Sequence, residues 1–325
     1  MKNWAFVFPG QGSQSVGMGR FLYNEFDIAK KTFEEASEAL SMDVKKLCFE
    51  STEQELQLTA NTQPALLTVS TATARVLKNQ FGFAPQFTAG HSIGEYASLV
   101  LAEVMPFSTA MKAVRLRGES MQAASPAGTG SMMALMGPTE SQVDKICQWA
   151  NSNSGFGPIQ AANFNSPGQI VISGDAKTLQ YLKDNFESEK VLGETQRVKM
   201  IPLNVSAPFH SEMMKPAEEK MQNFFSHVEF QDAKIPVVQN LTAFAETKAE
   251  ILKSNLIKQV SGSVRWMQSI ENLKTKYACT QFVECGHGAV LKGLIKKTDP
   301  ESQVLTTQSM EDLTIIESHL KAMGH

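Results

Sequence analysis

Hydrophobic positions follow two patterns in the first part of the chain: short continuous runs, and positions spaced three and four residues apart. Residues 4–8 are apolar at every position, which is typical of a central strand in a parallel sheet covered on both faces. Residues 85–89 indicate a second short strand. Apolar positions spaced three and four residues apart predict helices over residues 21–47, 62–79, 95–102 and 108–124. The second helix carries Pro64, which we expect in its first turn, where proline is tolerated.

The middle of the chain contains six short elements in the order strand, helix, strand, strand, helix, strand. The predicted strands cover residues 131–136, 159–164, 169–173 and 196–202, and the predicted helices cover residues 140–151 and 176–186. This βαββαβ order is that of a ferredoxin-like fold. We therefore expect an α/β protein in which a small domain, residues 130–200, is inserted into a large domain formed by residues 1–129 and 201–325.

The last part of the chain returns to the large domain. Its predicted elements are a helix over 216–225, a strand over 235–238, helices over 251–260 and from Val264, a strand over 281–284 and a helix over 290–297. No internal repeat or low-complexity segment interrupts this order.

The sequence Gly90-His91-Ser92-Ile93-Gly94 lies between the predicted strand 85–89 and the predicted helix that follows it. The form G-x-S-x-G at a strand-to-helix corner is typical of a nucleophile elbow, in which a strained serine lies between two small residues. The free N–H groups and the dipole at the start of the helix can stabilise an oxyanion there. Ser92 would then begin the helix as a nucleophile. The alternative is that it only caps the helix.

Arg117 lies on an apolar stripe of the predicted helix 108–124. Its neighbour Arg115 has Glu119 as a partner four residues later, whereas Arg117 has no such partner. A buried guanidinium is costly unless it meets an anion, and its planar fork suits a carboxylate. That anion is either an internal acid or the carboxylate of a substrate.

Two loop residues complete the set of candidates. His210 lies in a predicted loop after the small domain, where it can face a cleft between the domains. A lone histidine is often structural, but an elbow serine in the same chain needs a base. Gln11 lies between Gly10 and Gly12 after the first strand, in a loop that matches neither phosphate-binding motif. This loop is either a plain turn or one that presents Gln11 at the carboxyl end of the strand.

The composition narrows the function without identifying it. Hydrophobic residues make up 42% and charged residues 19% of the chain, as in ordinary globular proteins. A net charge of −3 gives no general basis for binding nucleic acid or an anionic membrane. No apolar run is long enough for a signal peptide or a membrane span, so we expect a cytoplasmic protein. The four cysteines and six histidines show no metal-ligand spacing, so neither a metal site nor a disulfide framework is expected.

Together these motifs resemble those of the malonyl-CoA:acyl carrier protein transacylases, the acyl-loading enzymes of bacterial fatty acid synthesis. The resemblance runs along nearly the whole chain and rests on the segments 6–14 (FVFPGQGSQ), 90–96 (GHSIGEY), 115–118 (RLRG), 162–169 (ANFNSPGQ) and 209–210 (FH). It implies an α/β-hydrolase-like large domain with a ferredoxin-like insert, in agreement with the order of elements. One departure is His287, between two glycines, where related sequences commonly have proline.

The resemblance implies a catalytic role for four residues. Ser92 would be the nucleophile and His210 its general base, and the backbone N–H groups of Gln11 and Ile93 would form the oxyanion hole. Malonyl would pass from coenzyme A to Ser92 and then to the phosphopantetheine thiol of acyl carrier protein.

The resemblance also implies how the substrate and the base are held. Arg117 would bind the free carboxylate of malonyl, and His91 and Asn165 are further candidates for substrate binding. A backbone carbonyl rather than an acid would orient the histidine, and Gln259 matches one such position. The implied partners are malonyl-CoA and acyl carrier protein, with no cofactor and no metal, and we expect a monomer.

Three other functions fit parts of the same pattern. A serine thioesterase or other hydrolase would pass the acyl group to water, but α/β-hydrolases carry an acid between serine and histidine, and no acid has a motif-like position between Ser92 and His210. A non-catalytic scaffold that binds acyl-CoA would have no need of an intact Ser92, His210 and Arg117. A stand-alone loading enzyme of polyketide synthesis would run the same reaction on another carrier.

Overall fold

The computed structural model describes residues 3–126, 128–205 and 207–322, which form two β-sheets packed against helices. The strands are β1 (Asn3–Phe8), β2 (Phe87–Gly90), β3 (Gly130–Met136), β4 (Ile159–Ser166), β5 (Gln169–Asp175), β6 (Lys199–Pro202), β7 (Val237–Val238), β8 (Ala245–Glu246), β9 (Cys279–Glu284) and β10 (Gln303–Leu305). The helices are α1 (Arg20–Glu25), α2 (Asp27–Leu40), α3 (Val44–Glu50), α4 (Glu53–Gln57), α5 (Thr59–Phe81), α6 (Gly94–Leu101), α7 (Phe107–Ala123), α8 (Glu140–Asn153), α9 (Ala176–Asn185), α10 (Ser188–Leu192), α11 (Lys215–Ser226), α12 (Ala249–Lys258), α13 (Trp266–Tyr277), α14 (Val290–Thr298) and α15 (Met310–Ala322). A short 3-10 helix covers Glu212–Met214.

The large sheet has the strand order β10-β9-β1-β2-β7-β8, and its first five strands are parallel. The apolar strand β1 lies at its centre and is buried from Trp4 to Phe8, as the sequence predicted. Phe8 pairs with Gly90 at the ends of β1 and β2. The loops that carry Gln11 and Ser92 therefore leave the sheet side by side, at the carboxyl edge where ligands of such sheets bind.

The small sheet has the antiparallel order β4-β5-β3-β6, which is the ferredoxin-like arrangement predicted from the sequence. Alternate residues of its strands face opposite sides. Met133 and Leu135 pack with α8 and α9, whereas Met132 and Val171 join the core of the large domain. The α/β fold with a large and a small domain is thus confirmed, and the boundaries at 129/130 and 200/201 stay a prediction.

The predicted helix over 21–47 is wrong, because three helices occupy this stretch. Phe26 is extended (φ −130°) and separates α1 from α2. Ser41 takes a left-handed conformation (φ 51°) that ends α2. Asp43 then caps α3, since its side chain accepts the Lys46 N–H at 2.8 Å. The apolar period continued through these breaks, so it could not reveal them.

The position predicted for Pro64 is also wrong, since it is the sixth residue of α5 rather than part of its first turn. Proline has no N–H to give the carbonyl four residues earlier, which belongs to Ala60. Arg115 of α7 donates to this carbonyl at 3.1 Å and keeps its predicted ion pair with Glu119 at 2.6 Å. Because of the proline, the Ala60 carbonyl is free to accept this hydrogen bond, which links α7 to α5.

Smaller differences lie in short elements. β6 begins at Lys199, not at residue 196, because the Gln196 N–H donates to the Ser188 hydroxyl at 3.1 Å instead of to a neighbouring strand. The sequence did not indicate the short elements α4, α10, β8 and β10 or the last helix, α15.

The close contact of α5 and α7 yields a stability prediction. A Cβ atom at Gly118 would lie 2.7 Å from the Ala60 Cα atom, so Gly118→Ala forces two backbones apart. We expect it to lower the free energy of unfolding by about 1–3 kcal/mol. Gly293, inside α14 with no atom within 4 Å of a built Cβ, is the matched control, and Gly293→Ala should raise it by about 0.5–1 kcal/mol. Denaturant unfolding of both variants tests this, and equal effects would contradict the steric argument.

Candidate active site

The turn between β2 and α6 holds Ser92 in a strained backbone conformation. Its φ of 51° lies in the left-handed region, which side chains rarely adopt. A Cβ atom at Gly90 would lie 2.0 Å from the Gly94 carbonyl carbon, and one at Gly94 would lie 2.2 Å from the Phe8 oxygen. Both glycines are thus required, as expected. The expectation that Ser92 begins the helix is wrong, because α6 begins at Gly94 with Ile93 as its N-cap.

Most N–H groups of this turn already have acceptors. The Ser92 N–H donates to Asn240 Oδ1 at 2.6 Å, the Gly94 N–H to the His91 carbonyl at 2.9 Å, and the Glu95 N–H to the Ser92 carbonyl at 3.1 Å. The Ile93 N–H takes part in none of these hydrogen bonds. It follows the serine directly, which is where an elbow offers its first oxyanion donor.

Gln11 reaches the same site from the loop after β1. A Cβ atom at Gly10 would lie 2.8 Å from the His91 carbonyl oxygen, so glycine at this position permits the two loops to touch. The Gln11 side chain donates to the Thr59 hydroxyl at 3.3 Å. Its side chain is thereby directed to α5, and its backbone lies beside the elbow.

His210 is hydrogen-bonded to Ser92 and to two backbone carbonyls. Its Nε2 atom lies 2.8 Å from Ser92 Oγ, and its Nδ1 atom lies 2.9 Å from the Gln259 oxygen and 3.1 Å from the Gly262 oxygen. Carbonyl oxygens only accept, so Nδ1 carries the proton and Nε2 presents its lone pair to the serine hydroxyl. The backbone carbonyl of Gln259, whose role the resemblance implied, thus contacts the histidine, and the Gly262 carbonyl is an additional acceptor that the sequence did not reveal.

The surroundings keep the imidazole neutral. Burial lowers the pKa of His210 to about 3, and the nearby Arg117 cation acts in the same direction. The side chain is 3% exposed. A neutral histidine with a fixed tautomer beside a serine hydroxyl is the arrangement of a general base and its nucleophile.

Arg117 is 1% exposed and points at the serine. Its Nη2 atom donates to Ser92 Oγ at 3.1 Å and to Gln259 Oε1 at 3.0 Å, and its guanidinium carbon lies 5.7 Å from the centre of the Tyr96 ring. Within the described residues no carboxylate forms an ion pair with it. Of the two anions expected from the sequence, an internal acid is thus not in direct contact with it.

His91 and Asn165 contact each other. The His91 Nε2 atom lies 2.8 Å from Asn165 Oδ1, and the His91 ring lies 5.8 Å from the ring of Trp266. Burial lowers the pKa of His91. The pair joins the elbow of the large domain to strand β4 of the small sheet.

A cavity of about 180 Å³ lies between the two sheets at this point. Met132 and Val171 of the small sheet form part of its wall. Six of the predicted residues line it, namely Gln11, His91, Ser92, Arg117, Asn165 and His210. Ile93 and Gln259 are not among its lining residues. A larger cleft of about 670 Å³, bordered by α5, α6 and α7, contains none of the predicted residues.

Sequence reasoning missed several buried polar residues around this cavity. Glu95 and Asn240 are fully buried and hydrogen-bonded to the elbow or to residues behind it. Gln63 is 2% exposed, lines the cavity, and has a side-chain oxygen without a partner among the described residues. Glu95 had a usable signal, because it is an acid in a mostly apolar helix that is buried from Gly94 to Leu99. Asn240 and Gln63 had none.

The described residues offer neither a metal site nor a membrane span. Residues 3–126, 128–205 and 207–322 contain no group of three or more His, Cys, Asp or Glu side chains that could hold a metal ion. No described helix has the length and apolarity needed to cross a membrane.

Known proteins resemble this chain in sequence and in fold. The sequence profile of a family described as an acyl transferase domain matches residues 5–319. A malonyl CoA-acyl carrier protein transacylase of Staphylococcus aureus (strain MRSA252) is 43% identical over 313 residues, which cover 96% of this chain and 98% of that protein. The solved malonyl CoA-acyl carrier protein transacylase of Coxiella burnetii has a TM-score of 0.91 at 35% identity and covers 98% of both chains.

A second solved structure is that of a malonyl-transacylase in complex with its type II PKS acyl-carrier protein. It has a TM-score of 0.90 at 36% identity and covers 98% of this chain and 99% of that chain. The match of nearly the whole sequence and the match of the fold agree with the motifs at the cavity. The chain therefore belongs to the acyl transferase domain family, among the malonyl-CoA:acyl carrier protein transacylases.

Proposed function

We propose that this protein transfers malonyl from malonyl-CoA to the phosphopantetheine thiol of acyl carrier protein, through a malonyl-Ser92 intermediate, and so supplies fatty acid elongation. One observation carries the proposal: Ser92 Oγ contacts both His210 Nε2, at 2.8 Å, and Arg117 Nη2, at 3.1 Å. A single hydroxyl is thus next to a base and next to a cation suited to a carboxylate. The relatives named above carry the name of this reaction.

The first half-reaction loads the serine. Ser92 gives its proton to His210 Nε2 as its oxygen attacks the thioester carbonyl of malonyl-CoA. The backbone N–H groups of Gln11 and Ile93 stabilise the oxyanion, and each such donor contributes about 3 kcal/mol to the lowering of the barrier. The C–S bond then breaks, and the thiolate of coenzyme A takes the proton from His210.

The second half-reaction runs the same steps in the opposite sense. The phosphopantetheine thiol gives its proton to His210, and its sulfur attacks the malonyl-serine ester. The Ser92 oxygen leaves and regains the proton. Neither half-reaction changes an oxidation state, so neither calls for a redox cofactor, and the chain itself supplies the base and the donors for the oxyanion.

Arg117 distinguishes malonyl from acyl groups without a carboxylate. It lies within hydrogen-bond distance of the reacting oxygen, while its Nε and Nη1 atoms donate to no described residue. An acyl group on Ser92 with a carboxylate on its second carbon can reach such a cation. His91 and Asn165 also line the cavity and are proposed to contact the substrate there.

The orientation of the base favours transfer over the hydrolase alternative. Nδ1 of His210 faces two backbone carbonyls and no carboxylate of the described residues, whereas the serine hydrolases of related fold hold their histidine with Asp or Glu. The polyketide alternative differs only in the carrier and is tested with two carrier proteins. Acyl carrier protein as partner, a monomeric state and a cytoplasmic location complete the proposal.

The nucleophile is tested by labelling. Wild-type protein incubated with radioactive malonyl-CoA should gain one malonyl group per chain on Ser92 and release it to acyl carrier protein faster than to water. Ser92→Ala should gain none, because the attacking oxygen is lost with little buried volume. Retained labelling in Ser92→Ala would exclude Ser92 as the nucleophile, and release chiefly to water would favour a hydrolase.

The role of Arg117 is tested by comparing two substrates. Arg117→Ala should lower kcat/KM for malonyl-CoA by roughly 30- to 4000-fold, since truncating a buried partner of a charged group costs about 2–5 kcal/mol. Acetyl-CoA has no carboxylate to lose, so its transfer should stay unchanged or rise. Arg117→Lys should restore malonyl transfer only in part. A parallel fall with both substrates would mean that Arg117 serves the structure alone.

The low pKa of His210 gives a pH prediction. A base with a pKa of about 3 stays neutral as the pH falls from 7.5 to 5, so the rate of acyl loading should change less than about threefold. With a histidine of ordinary pKa, the same change of pH would lower that rate roughly 30-fold, because most of the imidazole would become protonated. Arg117→Ala removes a cation that lowers this pKa, so in this variant the fall of the loading rate at acid pH should begin at a higher pH than in the wild type. Quenched-flow loading from acetyl-CoA measures both proteins. An acid limb near pH 6.5 in the wild type would contradict the prediction.

A further inference from the structure

Glu95 is a fully buried carboxylate one turn after the nucleophile. Its Oε1 atom accepts from Gln239 Nε2 at 3.1 Å, and its Oε2 atom accepts from the Asn240 N–H at 2.9 Å and from Gln259 Nε2 at 3.0 Å. All three donors are neutral amides. Burial raises the pKa of Glu95, and these hydrogen bonds and the charge of Arg117 act in the opposite direction.

The Gln259 side chain joins this carboxylate to the buried guanidinium. Its Nε2 atom donates to Glu95, and its Oε1 atom accepts from Arg117 Nη2 at 3.0 Å. The orientation of the amide is fixed by its ends, because a carboxylate only accepts and a guanidinium only donates. The three groups form a continuous chain from a negative to a positive charge.

Asn240 joins the same carboxylate to the strained elbow. Its backbone N–H is held by Glu95, its Oδ1 atom accepts the Ser92 N–H at 2.6 Å, and its Nδ2 atom donates to the Gly90 carbonyl at 2.6 Å. The side chain of Asn240 thus spans the turn on both sides of the serine. Glu95 is therefore in hydrogen-bond contact with the groups that hold both Ser92 and Arg117.

We propose that Glu95 is the counter-charge of Arg117, acting through the Gln259 amide, and is thereby a positioning residue for the carboxylate site. A buried cation without a compensating anion is strongly destabilising. A direct ion pair would occupy the guanidinium N–H groups, whereas an amide in between balances the charge and leaves N–H groups for a ligand. The ligand named here, malonyl, rests on the proposed function, but the counter-charge does not.

A stability cycle tests the counter-charge without any substrate. Thermal unfolding is measured for wild type, Glu95→Gln, Arg117→Ala and the double variant. Arg117→Ala leaves Glu95 as an unbalanced buried charge, so adding Glu95→Gln to it should raise the Tm by a few degrees, although the same change in the wild type lowers it. A double variant less stable than Arg117→Ala would overturn the proposal. This comparison stands even if Glu95→Gln alone fails to fold.

A comparison of activities tests whether Glu95 positions Arg117 for the substrate carboxylate. Glu284 is the matched control, because it is also fully buried and accepts two backbone N–H groups, at 2.9 and 2.8 Å, outside the cavity. Glu95→Gln should lower kcat/KM for malonyl-CoA at least tenfold and that for acetyl-CoA less than threefold, and Glu284→Gln should leave the ratio of the two unchanged. In the Arg117→Ala background, Glu95→Gln should not change the ratio further.

Two results would contradict the proposal that Glu95 positions Arg117. One is an equal fall in kcat/KM for malonyl-CoA and acetyl-CoA in Glu95→Gln. The other is that Glu95→Gln changes the ratio of the two kcat/KM values as much in the Arg117→Ala background as in the wild type. Failure of the proposed function has a different signature. If the wild-type protein transfers no malonyl but the stability cycle gives the expected result, malonyl is excluded as the ligand and Glu95 remains the counter-charge of Arg117. If malonyl transfer is normal but the double variant is less stable than Arg117→Ala, only the proposed role of Glu95 is excluded.

Discussion

The burial of one positive charge is the constraint on which the rest of the site depends. Arg117 is almost inaccessible to solvent, so every group around it must either balance its charge or accept its hydrogen bonds. Gln259 accepts one, Ser92 accepts another, and Glu95 lies one amide further away. The helix that carries Arg117 is fixed in turn by the contact of Gly118 with α5. The position of the guanidinium is thus set in part by the packing of these two helices.

Strain is the second constraint, and it acts on the backbone of both Ser92 and His210. Ser92 and His210 have φ values of 51° and 57°, and each lies in a turn whose backbone is held by other elements. Asn240 holds the first turn, and Gln160 of the small sheet donates to the His210 carbonyl at 3.4 Å. A strained conformation persists only where its surroundings over-determine it. The small sheet therefore helps to hold the backbone of His210 and also forms part of the wall of the cavity.

The sequence predicted the parts of the fold that depend on local pattern. The buried strand β1, the order of the small sheet and the need for Gly90 and Gly94 follow from apolar runs, turn residues and steric limits that neighbours in the chain determine. The breaks at Phe26 and Ser41 were missed because apolar spacing does not record a change of helix direction.

The residues missed at the site have a different cause. Asn240 is 148 positions from the Ser92 N–H that it accepts, and the Gly262 carbonyl is 52 positions from His210. Their roles arise from long-range contacts of ordinary polar groups, and no local pattern marks such groups. Arg117 was detectable because a charge on an apolar stripe conflicts with its neighbours, and the same conflict marks Glu95 in its apolar helix.

The placement of the two buried charges also bears on the proposed role of His210 as a base, since no carboxylate of the described residues contacts its Nδ1 atom. In serine hydrolases a carboxylate on the histidine stabilises the imidazolium that forms during attack. Here the buried carboxylate lies on the Gln259 side chain, and only carbonyl dipoles face Nδ1 of His210. The cation of Arg117 lowers the pKa of His210 further, after burial itself. A carboxylate bound to Arg117 would offset that field at short range, so a dicarboxylic acyl group would restore basicity to the histidine that an acetyl group leaves low. The negative charge that favours proton transfer would then arrive with the substrate, which joins selection of the acyl group to activation of the nucleophile.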